Sequence, residues 1–179
     1  MMNAGERDPY TIRQLTGGLT DAQMHGLAQV LMDCVEGGAS VSFMHPLSLP
    51  NALAFWARVA DEVRSAARVL LTAEDSGGIV GTVQIVLAQP ENQPHRADIS
   101  KLLVHRHARR AGLGAALMRA AEDAARRCGK SLLVLDTASG DAERLYVRLG
   151  WSLVGIIPGY ALWPRGGLCD TSVYYRKLD

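Results

Sequence analysis

Between Ala97 and Asp136 the chain strings together a strand, a basic turn containing two glycines, a helix and a second strand. Ala97 to Val104 is the first strand, HRHARRAGLG follows it, and a helical pattern then runs to Cys128. Leu132 to Leu135 is an unbroken apolar run ahead of Asp136, as expected of a strand buried on both faces. Two strands joined in this way pair in parallel through a right-handed crossover. A unit with that geometry needs a wider sheet around it and other elements over its faces.

The rest of the chain supplies them. Tyr10 to Leu15 alternates as a short strand. Thr20 opens a helix as a capping box with Gln23, Met24, Leu27, Leu31 and Val35 recur at helical spacing, and Gly37-Gly38 ends it. A second helix starts near Ser48-Leu49-Pro50, with Leu53, Trp56, Ala60 and Val63 as its buried stripe. Arg68 to Ala73 and Ile79 to Leu87 form a hairpin about Asp75-Ser76-Gly77-Gly78. In the strand from Ala97, Asp98 and Ser100 share a face with Leu102 and Val104, a phase error that a mid-strand β-bulge would correct.

In the central helix Leu113, Ala116, Leu117, Ala120 and Ala124 line one face. The opposite face offers Glu122–Arg126 and Asp123–Arg127 pairs, and Gly129 caps the end. Asp141 to Leu149 is a short helix ended by Gly150, and Trp151 to Gly155 and Ser172 to Lys177 are late strands separated by the loop PGYALWPRGG. The order β-α-α-β-β-β-α-β-α-β-β describes an α+β domain: a mixed seven-stranded sheet flanked by about four helices. Residues 1–179 read as a single domain, since 179 residues suit one core and no linker interrupts them.

Charge narrows the function. Nineteen Lys and Arg against 18 Asp and Glu give a net charge of +1, without the basic excess of a nucleic-acid binder. MMNAGERDPY has no apolar leader core and no run approaches a membrane span, so a cytoplasmic protein with neither nucleic-acid nor membrane partners is expected. Cys34, Cys128 and Cys169 are too few and too scattered for a disulfide framework or zinc site, so buried, inert thiols and no metal are expected.

Arg109-Arg110-Ala111-Gly112-Leu113-Gly114 is the sharpest local signal. A helix N-terminus carries unpaired N–H groups and a partial positive charge, and glycines let a phosphate approach them. Arg106, Arg109 and Arg110 add charge. A dinucleotide fingerprint would place its glycines directly after the strand, and a P-loop would need GK[ST]; neither is present. A solvated basic loop is the bland reading.

The string V-x-x-x-x-R-x-x-G-x-G, from Val104 to Gly114, resembles the acetyl-CoA loop of the GCN5-related N-acetyltransferases. AERLYVRLGWSLVG is similar to that family's A-x-x-L-Y-x-x-x-G-[FW] segment. GGASVSFM, RADISKLLV, LLVLDT and PGYALWP further resemble the tabtoxin resistance acetyltransferase group. Arg106 and Arg110 stand where many members carry proline and glycine, which makes this loop more basic.

The resemblance implies the GNAT fold with a central β-α-β acetyl-CoA unit, acetyl-CoA as cosubstrate, and direct transfer to a small amine in a ternary complex. The amides of Arg109, Arg110, Ala111, Gly112, Leu113 and Gly114 would hold the pyrophosphate, and Leu102, Leu103 and Val104 would pair with pantetheine. A backbone N–H near Leu103 would hold the thioester oxygen.

An alkyl amine of pKa about 10.4 is neutral in about one molecule in a few thousand at pH 7. Supplying the neutral form costs about 4–5 kcal/mol of barrier unless a base helps. Asp136, at the end of a parallel strand, and Asp98 are the carboxylate candidates, as base and as counter-charge to a cationic acceptor. Structural roles, a strand-end turn or an ion pair with Lys101, compete for both. Glu91 and His95 in the preceding loop are further base candidates.

Tyr146 matches the family's tyrosine near the CoA sulfur, its usual general acid, and an ordinary packed tyrosine is the alternative. Phe43 and Met44 would wall the acceptor pocket or pack in the core. The expected acceptor is amino-acid-like or toxin-like, and the protein a monomer or homodimer. A non-catalytic acyl-CoA sensor would keep the loop and show no turnover.

Overall fold

The computed structural model describes residues 10–179; the N-terminal stretch from which no leader is expected lies outside them, Tyr10 apart. The elements are β1 (Thr11–Leu15), α1 (Asp21–Glu36), α2 (Leu49–Arg64), β2 (Arg68–Asp75), β3 (Gly78–Val86), β4 (Arg96–Val104), a 3-10 turn (Arg106–Ala108), α3 (Leu113–Arg127), β5 (Leu132–Thr137), α4 (Gly140–Arg148), β6 (Ser152–Leu162) and β7 (Leu168–Lys177). The seven strands form one sheet in the order β1-β2-β3-β4-β5-β7-β6, with β4 and β5 its parallel pair. The expected α+β order therefore stands.

Local chemistry explains the helix ends. Thr20 Oγ1 accepts from Gln23 N–H while the Gln23 side chain accepts from Thr20 N–H, closing the capping box. Ser48 caps α2 with proline in the first turn. Each face of the sheet buries its own core. On one, Leu27, Leu31 and Val35 of α1 meet Trp56 and Val59 of α2 over Leu70 and Leu103. On the other, Leu113, Leu117 and Ala121 of α3 pack with Leu133, Leu135, Tyr146 and Trp151. The buried stripe of α2 is Ala52, Trp56 and Val59, with the expected Leu53, Ala60 and Val63 only partly buried.

The phase error in β4 is resolved by a bulge. Gln84 opposes Ser100 and Thr82 opposes Leu103, so Val83 alone faces both Lys101 and Leu102, and Lys101 takes φ 51°.

Five expectations are corrected. β6 continues through Pro158-Gly159-Tyr160 to Leu162, and β7 begins at Leu168. β6 is an edge strand, where proline's missing N–H disrupts no ladder, and the extra residues are absorbed between the Ile157–Thr171 and Ala161–Cys169 pairs. Gly159, at φ 61°, donates its N–H to Asp170 Oδ1 at 2.8 Å.

Glu122 is buried rather than solvated. It accepts from Trp151 Nε1 at 2.9 Å and pairs with Arg176, while Arg126 turns to Asp123. β5 alternates, with Leu133 and Leu135 buried and Leu132 and Val134 half-buried. Of the cysteines, Cys34 and Cys169 are buried but Cys128 is exposed. Cys128 is also the C-cap of α3, with Gly129 following at φ 70°.

Candidate active site

The parallel pair does not run its full length. β4 and β5 are in register at Arg96–Leu132, Ala97–Leu133 and Asp98–Val134, and the pairing ends there although β4 continues to Val104 and β5 to Thr137. The strands diverge and leave a cleft of about 1450 Å³ between them. Backbone along the parting strands is the kind of surface that pairs with an extended ligand carrying amides.

The glycine loop borders this cleft. Gly112 is the N-cap of α3 at φ 78°, a conformation that favours glycine, and no side chain caps the helix. The first-turn amides are thus left for a ligand rather than for a hydroxyl. A Cβ on Gly112 would meet only Tyr10 Oη, at 4.0 Å, so the space above it is open. The Tyr10 hydroxyl donates to the Ala111 carbonyl at 3.2 Å and ties the loop to the chain's first strand. These features fit a pyrophosphate.

The basic residues divide their work. Arg106 is engaged: its Nε and backbone N–H both donate to Asp33, and its Nη2 reaches Glu36. His105 and His107 lie 3.6 Å from Asp33 and Asp75. Arg109 folds back, donating to the Val104 carbonyl at 3.0 Å and to Cys34 Sγ. Arg110, at φ 66°, is exposed and lines the cleft. Within HRHARR, His105, Arg106 and His107 thus face carboxylates of α1 and the β2–β3 turn, while Arg109, folded back, and Arg110 both border the cleft.

The other expected residues fall as follows. Leu102, Leu103, Val104, Arg109, Leu113 and Gly114 line the cleft; Ala111 does not. The Val104 carbonyl already accepts from Arg109 and, more weakly, from the Cys34 thiol. Phe43 and Met44 line the cleft from the α1–α2 loop, Phe43 meeting Phe55 edge to face at 5.3 Å between ring centres.

Asp136 and Tyr146 share the cleft. Asp136 is exposed at the end of β5 and accepts from Thr171 Oγ1 at 3.2 Å. Tyr146 is buried, its ring 5.8 Å from Tyr174 and 6.0 Å from Trp151. Burial pushes the Tyr146 phenol pKa well above its ordinary value, and the neighbouring Asp136 charge and Tyr174 push it further.

Asp98 is not brought to this group. Its carboxylate pairs with Arg96 and accepts from Gln89 Nε2 at 3.0 Å, outside the cleft lining. The ion pair considered for it is thus real, with Arg96 in place of Lys101. Glu91 and His95 are likewise exposed in the β3–β4 loop away from the lining.

Lys101, Ser42, Thr171 and the Tyr160–Trp163 segment line the cleft although the sequence did not mark them as site residues, Lys101 being considered there only as an ion-pair partner. The bulge implied by the phase error was the one signal that could have pointed to Lys101. The wall opposite the loop is built by stitching two segments together: Ser40 Oγ donates to the Leu162 carbonyl at 3.1 Å, and His45 N–H to the Pro164 carbonyl at 2.8 Å. Among the described residues no group of three His, Cys, Asp or Glu could hold a metal ion, and no helix is long and apolar enough to cross a membrane.

The model of the acetyltransferase (GNAT) family matches residues 38–151. Solved structures share the fold over nearly the whole chain. The YncA protein of Salmonella typhimurium, solved with its cofactor acetyl-CoA, is 23% identical with a TM-score of 0.75, over 96% of this chain and 95% of that one. A ribosomal-protein-alanine N-acetyltransferase from Brucella melitensis is 22% identical with a TM-score of 0.76, over 94% and 99%. A phosphinothricin acetyltransferase from Sinorhizobium meliloti, in complex with acetyl-CoA, is 17% identical with a TM-score of 0.76, over 95% and 89%.

Proposed function

Because the chain belongs to the acetyltransferase (GNAT) family, we propose that it transfers acetyl from acetyl-CoA to the amine of a small amino-acid-like acceptor, by direct attack in a ternary complex. The observation that carries the reading is the cleft itself: diverging β4 and β5, an uncapped glycine helix start, and Asp136 and Tyr146 bordering one space. The likeness to a phosphinothricin acetyltransferase supports an amino-acid-like acceptor, and the motif strings support a tabtoxin-like one in particular.

Acetyl-CoA, when bound, supplies an acyl carbon activated as a thioester with a thiolate as leaving group. The amides from Arg109 to Gly114, with the Arg110 side chain, hold its pyrophosphate, and the backbone of Leu102 to Val104 aligns its extended arm. A backbone N–H near Leu103 stabilises the developing oxyanion.

Asp136 takes the first proton from the acceptor's ammonium, directly or through water, with Thr171 orienting its carboxylate, and the second nitrogen proton, shed as the amide forms, ends on the departing sulfur as CoA thiol. Tyr146 keeps its proton throughout the physiological range and offers an O–H to the departing sulfur. A thiolate of ordinary pKa about 8.5 is less basic than such a phenolate, so Tyr146 stabilises it chiefly as a hydrogen-bond donor. Asp98 is left out, its carboxylate being engaged by Arg96 and Gln89.

The test is thiol release from acetyl-CoA with a panel of amines. Turnover with intersecting double-reciprocal lines supports the reading. Binding of CoA without thiol release for any amine would leave a cofactor-binding module instead, and parallel lines would replace direct attack with an acetylated enzyme.

A further inference from the structure

Lys101 is an unusual residue to find in this cleft. It sits on the β4 bulge at φ 51°, where the two-residue alternation of the strand is broken. Bulges beside active sites commonly re-aim a side chain. Its ammonium donates to Ser42 Oγ at 3.0 Å and lies 5.9 Å from the centre of the Phe55 ring. The Phe55 ring in turn is held edge to face by Phe43 and Trp56.

Among the described residues no carboxylate lies within ion-pair distance of Lys101, and none of the described cations pairs with Asp136. The two opposite charges border the same cleft and influence one another, yet among the described residues the hydrogen-bond partner of each is a hydroxyl, Ser42 for one and Thr171 for the other. A half-buried ammonium without a counter-ion carries a desolvation cost, and that desolvation pulls the pKa of Lys101 down. Such an arrangement is complementary to a ligand that brings both charges itself.

We propose that Lys101, positioned by Ser42 and Phe55, anchors the carboxylate of the acceptor while Asp136 receives its amine. This rests on the acetyl-transfer reading and adds to it a specificity residue: the cleft selects an acceptor with a free carboxylate close to its amine. Neutralising Lys101 from outside also completes the site, since the bound carboxylate takes the place of the absent counter-ion.

The experiment uses acetyl-CoA with L-amino acids, their methyl esters and the matching decarboxylated amines. The wild-type protein is expected to favour the free acid over ester and amine by at least tenfold in kcat/KM. In Lys101→Gln that ratio falls toward one, mainly through a higher KM for the acid, and Lys101→Arg restores part of it. Calorimetry with the N-acetylated amino acid gives a readout independent of turnover, with affinity reduced at least tenfold in Lys101→Gln. Folding of each variant is checked by CoA binding. Turnover of acids and esters with equal efficiency in the wild-type protein would overturn the carboxylate anchor and leave acetyl transfer intact. Absence of thiol release with every amine would overturn the activity on which it rests.

Discussion

Arg106 Nε lies 2.7 Å from Asp33 Oδ1, and Asp33 Oδ2 takes the Arg106 backbone N–H at 2.8 Å. One carboxylate on α1 thus fixes the start of the loop that precedes α3. Burial works against the Asp33 carboxylate, but the hydrogen bonds from Arg106 and the charges of His105 and Arg106 outweigh it and hold its pKa below the usual value. A depressed carboxylate pKa gives stability that is present above about pH 4 and lost as pH falls through the folded value. Asp33→Asn should cost about 1–2 kcal/mol at pH 7, raise KM for acetyl-CoA and flatten the acid limb of the stability profile. Urea unfolding between pH 2.5 and 7, beside initial rates, checks all three.

Gly112→Ala should weaken the cofactor site. The residue sits at φ 78°, which alanine adopts only at a cost of about 1 kcal/mol. Because its Cβ would meet nothing closer than 4.0 Å, the substitution strains the backbone without a clash. The protein should remain folded while CoA affinity, measured by calorimetry, falls severalfold or more.

Glu122→Ala should be among the most destabilising changes outside the cleft. It removes the acceptor of Trp151 Nε1 and leaves Arg176 without its carboxylate. A loss of about 2–3 kcal/mol is expected, at or just below the ~3–5 kcal/mol range for a broken buried pair because Arg176 keeps some contact with water. Since Trp151 supports the Tyr146 ring, kcat should fall in the same variant when assayed below its melting temperature.

Lys101→Met should stabilise the ligand-free protein. Desolvation lowers the Lys101 pKa, so the unfolded chain holds that proton more tightly than the folded one. The wild-type protein therefore gains stability as pH rises from the folded value toward 10.5, and the methionine variant lacks that rise. Melting scans at pH 7 and 10 should show the variant ahead at the lower pH and the gap narrowing at the higher. This is the stability–function exchange expected where a charge is kept for a ligand.

Much of the architecture is legible in the sequence because local and global signals agree there. The Thr20–Gln23 capping box, the Ser48-Leu49-Pro50 start and the hairpin at Asp75–Gly78 each carry their own chemistry. The β4 bulge is legible as a phase error. The extension of β6 is not, because Pro158 and Gly159 read as a turn until the strand is known to lie at the sheet edge. Glu122 reads as solvated because Trp151 and Arg176 reach it from far along the chain.

The site divides in the same way. The glycine loop and Asp136 are marked by position relative to strand and helix ends, and Tyr146 by the resemblance of its segment to the family's A-x-x-L-Y pattern. Asp98 misleads because nothing local shows that Arg96 and Gln89 engage it. Lys101 escapes because its direction depends on the bulge rather than on residue type.

The pH dependence of acetyl transfer in Asp136→Asn tests the account most directly, with Tyr146→Phe alongside. N-acetylated product should form in the wild-type protein, and Asp136→Asn should lose about 10²–10³-fold in kcat/KM at pH 7. That deficit should shrink steadily toward pH 10, where the amine sheds its proton unaided. Tyr146→Phe should lower kcat at every pH while leaving acetyl-CoA binding in place, and the wild-type profile should show no loss of rate from phenol ionisation up to pH 10. A deficit in Asp136→Asn that stays constant with pH, or wild-type rates in both variants, would contradict the assignment of these residues.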